Sequence, residues 1–168
     1  MARSTDRQQH LYDLLKDFDT AMLVTHSPDG HMHARPMAVA ELEPDADAYF
    51  VTGIDSPKVA EIEADPRVTL TFQSSKQYAS LCGRVSVVRD RQLLDRLWKE
   101  AWKVWFPKGK DDPEISILKF DAEHGELWDN AGTNGIKYAF EAAKAYVKGE
   151  RPKTNPDQHA RVDLQDDV

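Results

Sequence analysis

Ser27-Pro28-Asp29-Gly30 narrows the choice of fold more than any other stretch of this chain. It is a strong tight-turn signal, set between the apolar run Ala21-Met22-Leu23-Val24-Thr25 and the segment HMHARPMAVAEL, residues 31–42. Two such segments joined by a turn predict a β-hairpin, and therefore an antiparallel sheet. The second segment alternates in two registers, one small and apolar, the other beginning His31, His33 and Arg35. Pro36 in its middle has no N–H to give to a ladder, so it marks an edge or a bulge where the backbone is open to something other than another strand.

The rest of the chain extends this pattern. Thr5 with Gln8 resembles a capping box ahead of Leu11, Leu14, Leu15 and Phe18, which predicts an amphipathic helix over residues 5–18. Residues 48–52 read as a third strand ended by Gly53. Ser56 as N-cap, Pro57 at the first helical position and Pro66 just beyond then bracket a short helix over residues 57–64. Strands follow over residues 67–73 and 78–89, the longer one with Gly83 at a bend or bulge.

Asp90 caps an expected helix whose Leu93, Leu94, Leu97, Trp98, Ala101, Trp102 and Trp105 recur at helical spacing until Pro107. A last pair of strands is expected over 115–121 and 126–129, then a helix over 136–147 stopped near Gly149. Residues 1–149 therefore form one domain, and the polar, aperiodic residues 150–168 are expected to be a flexible tail. Short strands joined mostly by hairpins, interrupted by isolated helices, predict an antiparallel barrel with helices at its ends.

Composition removes several classes of function. With 168 residues the chain suits one domain, and it has no run near the roughly 20 apolar residues that span a bilayer. A net charge of -7 argues against sequence-independent nucleic-acid binding. The opening MARSTDRQQH lacks an apolar h-region and Cys82 is the only cysteine, so a cytoplasmic location is expected.

His26, His31 and His33 could converge, but no further ligand stands at a telling spacing, and no metal site is expected. Cys82 sits in an apolar strand, and the chain lacks a Gly-x-Ser-x-Gly elbow, a Gly-x-Gly-x-x-Gly loop and a Walker loop. What remains is an anion site. Ser56-Pro57-Lys58 opens a helix, where unpaired N–H groups and the dipole favour a phosphate, and Arg35 offers a planar fork for a second contact. Taken alone, the same residues are a capped surface helix and a surface arginine.

The succession Arg35-Pro36-Met37, Phe50-Val51-Thr52, Ser56-Pro57-Lys58 and Glu61 to Val68 resembles the flavin-binding split barrels of the pyridoxamine 5'-phosphate oxidase-like superfamily. Within it, the segment Trp105 to Pro113 resembles the general stress protein branch. The resemblance covers about residues 7–130. It implies a mainly β (α+β) fold, a six-stranded antiparallel split β-barrel with flanking helices, and a homodimer with FMN, or alternatively FAD, at its interface. Carried onto this sequence, it implies that Arg35, Ser56 and Lys58 hold the flavin phosphate. Pro36, Met37, Val51 and Thr52 would line the isoalloxazine, and Tyr78 would contact it. Trp128 would come from the second subunit, with the Trp105-Phe106 loop reaching across as well. The residues themselves leave open plain core packing for these tryptophans.

The oxidases that make pyridoxal 5'-phosphate end in a basic segment with an arginine and histidine pair, whereas His159 and Arg161 here lie in a polar, acidic stretch. The expectation is therefore an FMN-dependent oxidoreductase of unassigned substrate, with no catalytic residue identified, rather than a pyridoxamine-phosphate oxidase. The alternatives are a flavin carrier or sensor without turnover, and a flavin-free barrel holding heme or a deazaflavin.

Overall fold

The structure, a computed structural model, describes residues 2–151 and 158–165, with side chains from residue 6 onward. In chain order it comprises helix α1 (Ala2–Leu15), strands β1 (Thr20–His26), β2 (Met32–Ala38), β3 (Glu41–Leu42) and β4 (Ala48–Gly53), and helix α2 (Pro57–Ala64). Strands β5 (Arg67–Gln73) and β6 (Gln77–Val88), helix α3 (Arg91–Leu97) and 3-10 turns at Glu100–Val104 and Gly109–Asp111 follow. Strand β7 (Ile115–Asp129), helix α4 (Gly132–Lys148) and strand β8 (His159–Asp163) complete it.

Seven strands follow one path, β2-β1-β5-β6-β7-β4-β3, and β8 pairs with β7 beside it. That is more than the six strands expected. Every pairing is antiparallel, and the sheet curls into a half-barrel that brings β2 near β4. The alternation in the sequence sets which face is buried: Val68, Leu70 and Phe72 of β5, and Ala79, Leu81 and Val85 of β6, point inward. They meet Leu23, Phe50, Leu118, Phe120 and Leu127, and Leu11, Leu14 and Leu15 of α1 close the cluster.

Several elements differ from the sequence expectation, each for a packing reason. Helix α1 begins at Ala2, so Thr5 lies inside it rather than at its cap. The helix expected up to Trp105 stops at Leu97, because Trp98 turns to extended backbone. Its ring then packs against Trp102 and Phe106, over a small second core of Tyr49, Leu94, Leu97, Ile115 and Ile117. The two strands expected after residue 115 are one, β7, which crosses the polar stretch Ala122 to His124 because β6 pairs along its whole length.

Part of the expected tail is also structured. Residues 159–163 pair with His124 to Trp128, burying Ala160 and Val162, since two inward apolar positions suffice on a ladder already set by β7. Residues 152–157 and 166–168 of that tail lie outside the described residues. The turn at Ser27 to Gly30, the edge position of Pro36, the irregularity at Gly83 and the left-handed Gly149 at the end of α4 agree with the sequence. Among the described residues no helix is long and apolar enough to cross a membrane.

Candidate functional site

The edge strand β2 carries Pro36, Met37 and Ala38 to one side of a cavity of about 440 Å³. Val51 and Thr52 of β4 form the opposite side, Thr20 lies at its foot, and Lys58 stands at the start of α2. The third wall is aromatic. Trp102 is buried, Phe106 is half-buried and Trp105 is 66% exposed at the rim.

This wall is held in place by Trp98, edge-on to Trp102 at 5.8 Å and 89°. Lys99 adds a second anchor: its ammonium stands 5.6 Å from the Trp102 ring and donates to the Val39 carbonyl at 3.3 Å. Six of the residues singled out in the sequence, Pro36, Met37, Val51, Thr52, Lys58 and Trp105, thus surround one space.

Ser56 lies at its edge. Its backbone is extended, as an N-cap requires, yet its hydroxyl makes no capping hydrogen bond and sits 3.3 Å from the Thr52 hydroxyl. The side chain therefore leaves the first-turn N–H groups of α2 without the partner an N-cap hydroxyl ordinarily supplies. Lys58 Nζ donates to Thr52 Oγ1 at 2.9 Å. Burial and the neighbouring charge of Arg35 push the Lys58 ammonium below its ordinary pKa, against the pull of Glu61. Among the described residues lining the cavity, Lys58 is the one ionisable group.

Arg35 is the next residue along β2, and its guanidinium is already engaged. One terminal nitrogen donates to Thr25 Oγ1 and the other to Glu61 Oε2 at 2.9 Å. Glu61, 6% exposed on the inner face of α2, also accepts from the Thr25 hydroxyl at 2.6 Å. Its other oxygen lies 2.6 Å from His33 Nδ1, a bond that requires a proton on that nitrogen.

Burial pushes the Glu61 carboxyl up, but the hydrogen bonds from Thr25, His33 and Arg35 outweigh it and hold the pKa at about 2. The sign follows. A carboxyl depressed from 4.5 to about 2 adds stability above its unfolded pKa, and that stability is lost as pH falls through the folded value. The unfolding free energy is expected to drop by on the order of 3 kcal/mol more in the wild type than in Glu61→Gln between pH 4.5 and 2. Urea midpoints of the two proteins at pH 5 and pH 3, where about 2 kcal/mol of that difference is expected, check it, and parallel pH profiles would exclude it.

Tyr78 and Trp128 are not brought to this cavity within the chain. They face each other across β6 and β7 at the far end of β7 from Ile117, the residue opposite Val51. Trp128 stacks on His159 at 5.2 Å and 9°. His159 Nε2 lies 2.6 Å from Glu126 Oε1, which also accepts from Arg161.

Sequence reasoning missed Thr20 and Ala38, gave Trp102 only a packing role, and assigned nothing to Glu61. One signal for Glu61 was present: it follows Lys58 by three residues on the same short helix, so both share a face.

A half-barrel with a cavity between one edge strand, the strand next to the other edge and an aromatic loop defines the class as a split barrel. The chain belongs to the family described as pyridoxamine 5'-phosphate oxidase like, whose model matches residues 6–153. A candidate general stress protein 26 from Jannaschia sp. CCS1 is 26% identical, covers 97% of this chain and 99% of its own, and superposes with a TM-score of 0.72. The general stress FMN/FAD binding protein from Xanthomonas citri is 30% identical over 77% of this chain and 89% of its own, with a TM-score of 0.60. Protein bli-3 of Neurospora crassa is 28% identical over 109 residues, 58% of this chain and 52% of that protein. The chain thus spans about half the length of this curated relative.

Proposed function

We propose that the cavity binds FMN and that the protein is a flavin-dependent oxidoreductase of the general stress type. The observation that carries the reading is the pairing, in one cavity, of apolar and aromatic walls with a single cation at a helix start. The volume of about 440 Å³ lies in the range of ligand sites, roughly 300 to 1,000 Å³. The donor set also fits: the Ser56 hydroxyl, paired with Thr52 rather than with the helix, the backbone N–H of Lys58 and the Lys58 ammonium form a phosphate end. Pro36, Met37, Val51 and Thr52 form the ring end.

When bound, the flavin supplies hydride or electron transfer. The chain's own residues then orient and shield it. Lys58 offsets the phosphate charge, Trp102 and Phe106 exclude water, and Trp105 at the rim covers the open side. Tyr78 on β6 and Trp128 opposite it on β7 stand too far along the sheet to serve their own cavity, which supports a homodimer whose second copy brings them.

The purified protein is expected to be yellow, to release FMN identified by mass, and to show flavin reduction by NAD(P)H and reoxidation by an added acceptor. A colourless protein with no affinity for added FMN would refute the reading. Bound flavin that stays inert to every donor would instead identify a carrier.

A further inference from the structure

We propose that Glu61 is a positioning residue for ligand phosphate: it holds the Arg35 guanidinium by one edge so that its remaining N–H donors face the anion beside Lys58. The proposal rests on the flavin reading of the cavity and goes beyond it, because Glu61 touches neither the cavity nor a ligand.

Arg35 lies on an edge strand whose side chains are mostly exposed. A long arginine there would sample many rotamers, and fixing it on a ligand would cost conformational entropy. Glu61 and Thr25 remove that freedom in advance. They take up two of the five guanidinium donors, one through each terminal nitrogen. Both acceptors are buried, and Glu61 is itself fixed from a third side by His33.

The same contacts tie the two halves of the site together. Thr25 belongs to β1, His33 and Arg35 to β2, and Glu61 to α2, one turn beyond Lys58. Arg35 and Lys58 are thereby near enough for each charge to be felt by the other, and the single carboxylate of Glu61 pairs with Arg35. The surplus positive charge is what a phosphate would meet.

The test compares affinity for FMN with affinity for riboflavin, which lacks the phosphate. In Glu61→Gln, which keeps the shape and removes the charge, the preference for FMN is expected to fall about tenfold, with riboflavin affinity within about twofold of wild type. The double variant Arg35→Ala, Glu61→Gln should show the same preference as Arg35→Ala alone, because Glu61 acts through Arg35. An equal loss for both flavins would mean that Glu61 only braces α2, and tighter FMN binding would mean that it competes for Arg35. Either overturns the proposal.

If Glu61→Gln does not fold, Glu61→Asp, too short to reach both Arg35 and His33, is read by the same ratio. If the wild type binds neither flavin, the flavin reading fails, and the Glu61 role is judged with inorganic phosphate. Thermal stabilisation by phosphate in the wild type that is lost in Glu61→Gln would uphold it. Stabilisation that persists in the variant, or none in the wild type, would overturn it.

Discussion

Lys58→Ala is expected to weaken FMN binding by about 30-fold while leaving riboflavin binding within about twofold. The factor corresponds to about 2 kcal/mol, the range of a hydrogen bond made by a charged group. Lys58 is the clean probe because, among the described residues, its side chain donates to the Thr52 hydroxyl, which keeps Ser56 as a neighbour when the ammonium is removed. Its pKa is lowered by burial and by Arg35, so the ammonium carries a charge penalty that a bound phosphate would relieve.

Arg35→Ala tests the same end of the cavity less directly. It strands Glu61, buried and ionised, without its guanidinium partner. Breaking a buried pair from one side costs about 3 to 5 kcal/mol of stability. A drop in FMN affinity in that variant would mix lost contact with a loosened α2. Fluorescence titration of both flavins against Lys58→Ala avoids the mixture, and equal losses for FMN and riboflavin would remove Lys58 from any phosphate role.

Gly83→Ala is expected to lower the unfolding free energy by about 3 kcal/mol or more. A β-carbon there would stand 2.1 Å from the Asp121 carbonyl oxygen and 2.8 and 2.9 Å from two carbons of the Phe120 ring. The first of these is backbone and cannot rotate away. The close approach arises at the bulge, where Cys82 faces His124 and Gly83 faces Ala122, leaving Glu123 without a partner on β6.

Relief would require β6 and β7 to separate, and β7 is the strand on which β4 is registered, with Val51 opposite Ile117 and Thr52 opposite Ser116. The variant should therefore lose flavin affinity together with stability. Gly53→Ala is the matching control, since nothing lies within 4 Å of its added carbon. It should change stability by less than about 1 kcal/mol. Denaturant midpoints of the two variants decide the matter, and similar midpoints would mean that the bulge tolerates a side chain.

The parts of this molecule legible in the sequence are those set by local rules. Turn chemistry at Ser27 to Gly30 gave the first hairpin, period-two burial gave β5 and β6, and Pro57 with Pro66 gave both ends of α2. Pro36 announced an edge, and β2 is one. Six cavity residues were legible through the resemblance of short motifs, although Trp105 sits beyond the actual end of the helix the sequence marks.

What local rules could not reach depends on which distant elements meet. Trp102 follows helical spacing after Leu94 and Trp98, yet it leaves the helix because Trp98 and Phe106 pack together over Tyr49 and Ile117. Residues 159–163 look like tail until β7 offers them a ladder. Glu61 reads as one charge among several on a solvated helix, and only the closing of α2 onto β1 and β2 buries it against Thr25, His33 and Arg35. By itself, then, the sequence determined the strands up to β6, their turns and the residue types that could hold a phosphate. The tertiary structure decided that Arg35 pairs with a buried carboxylate, because an ion pair between positions 26 residues apart exists only once the fold brings them together.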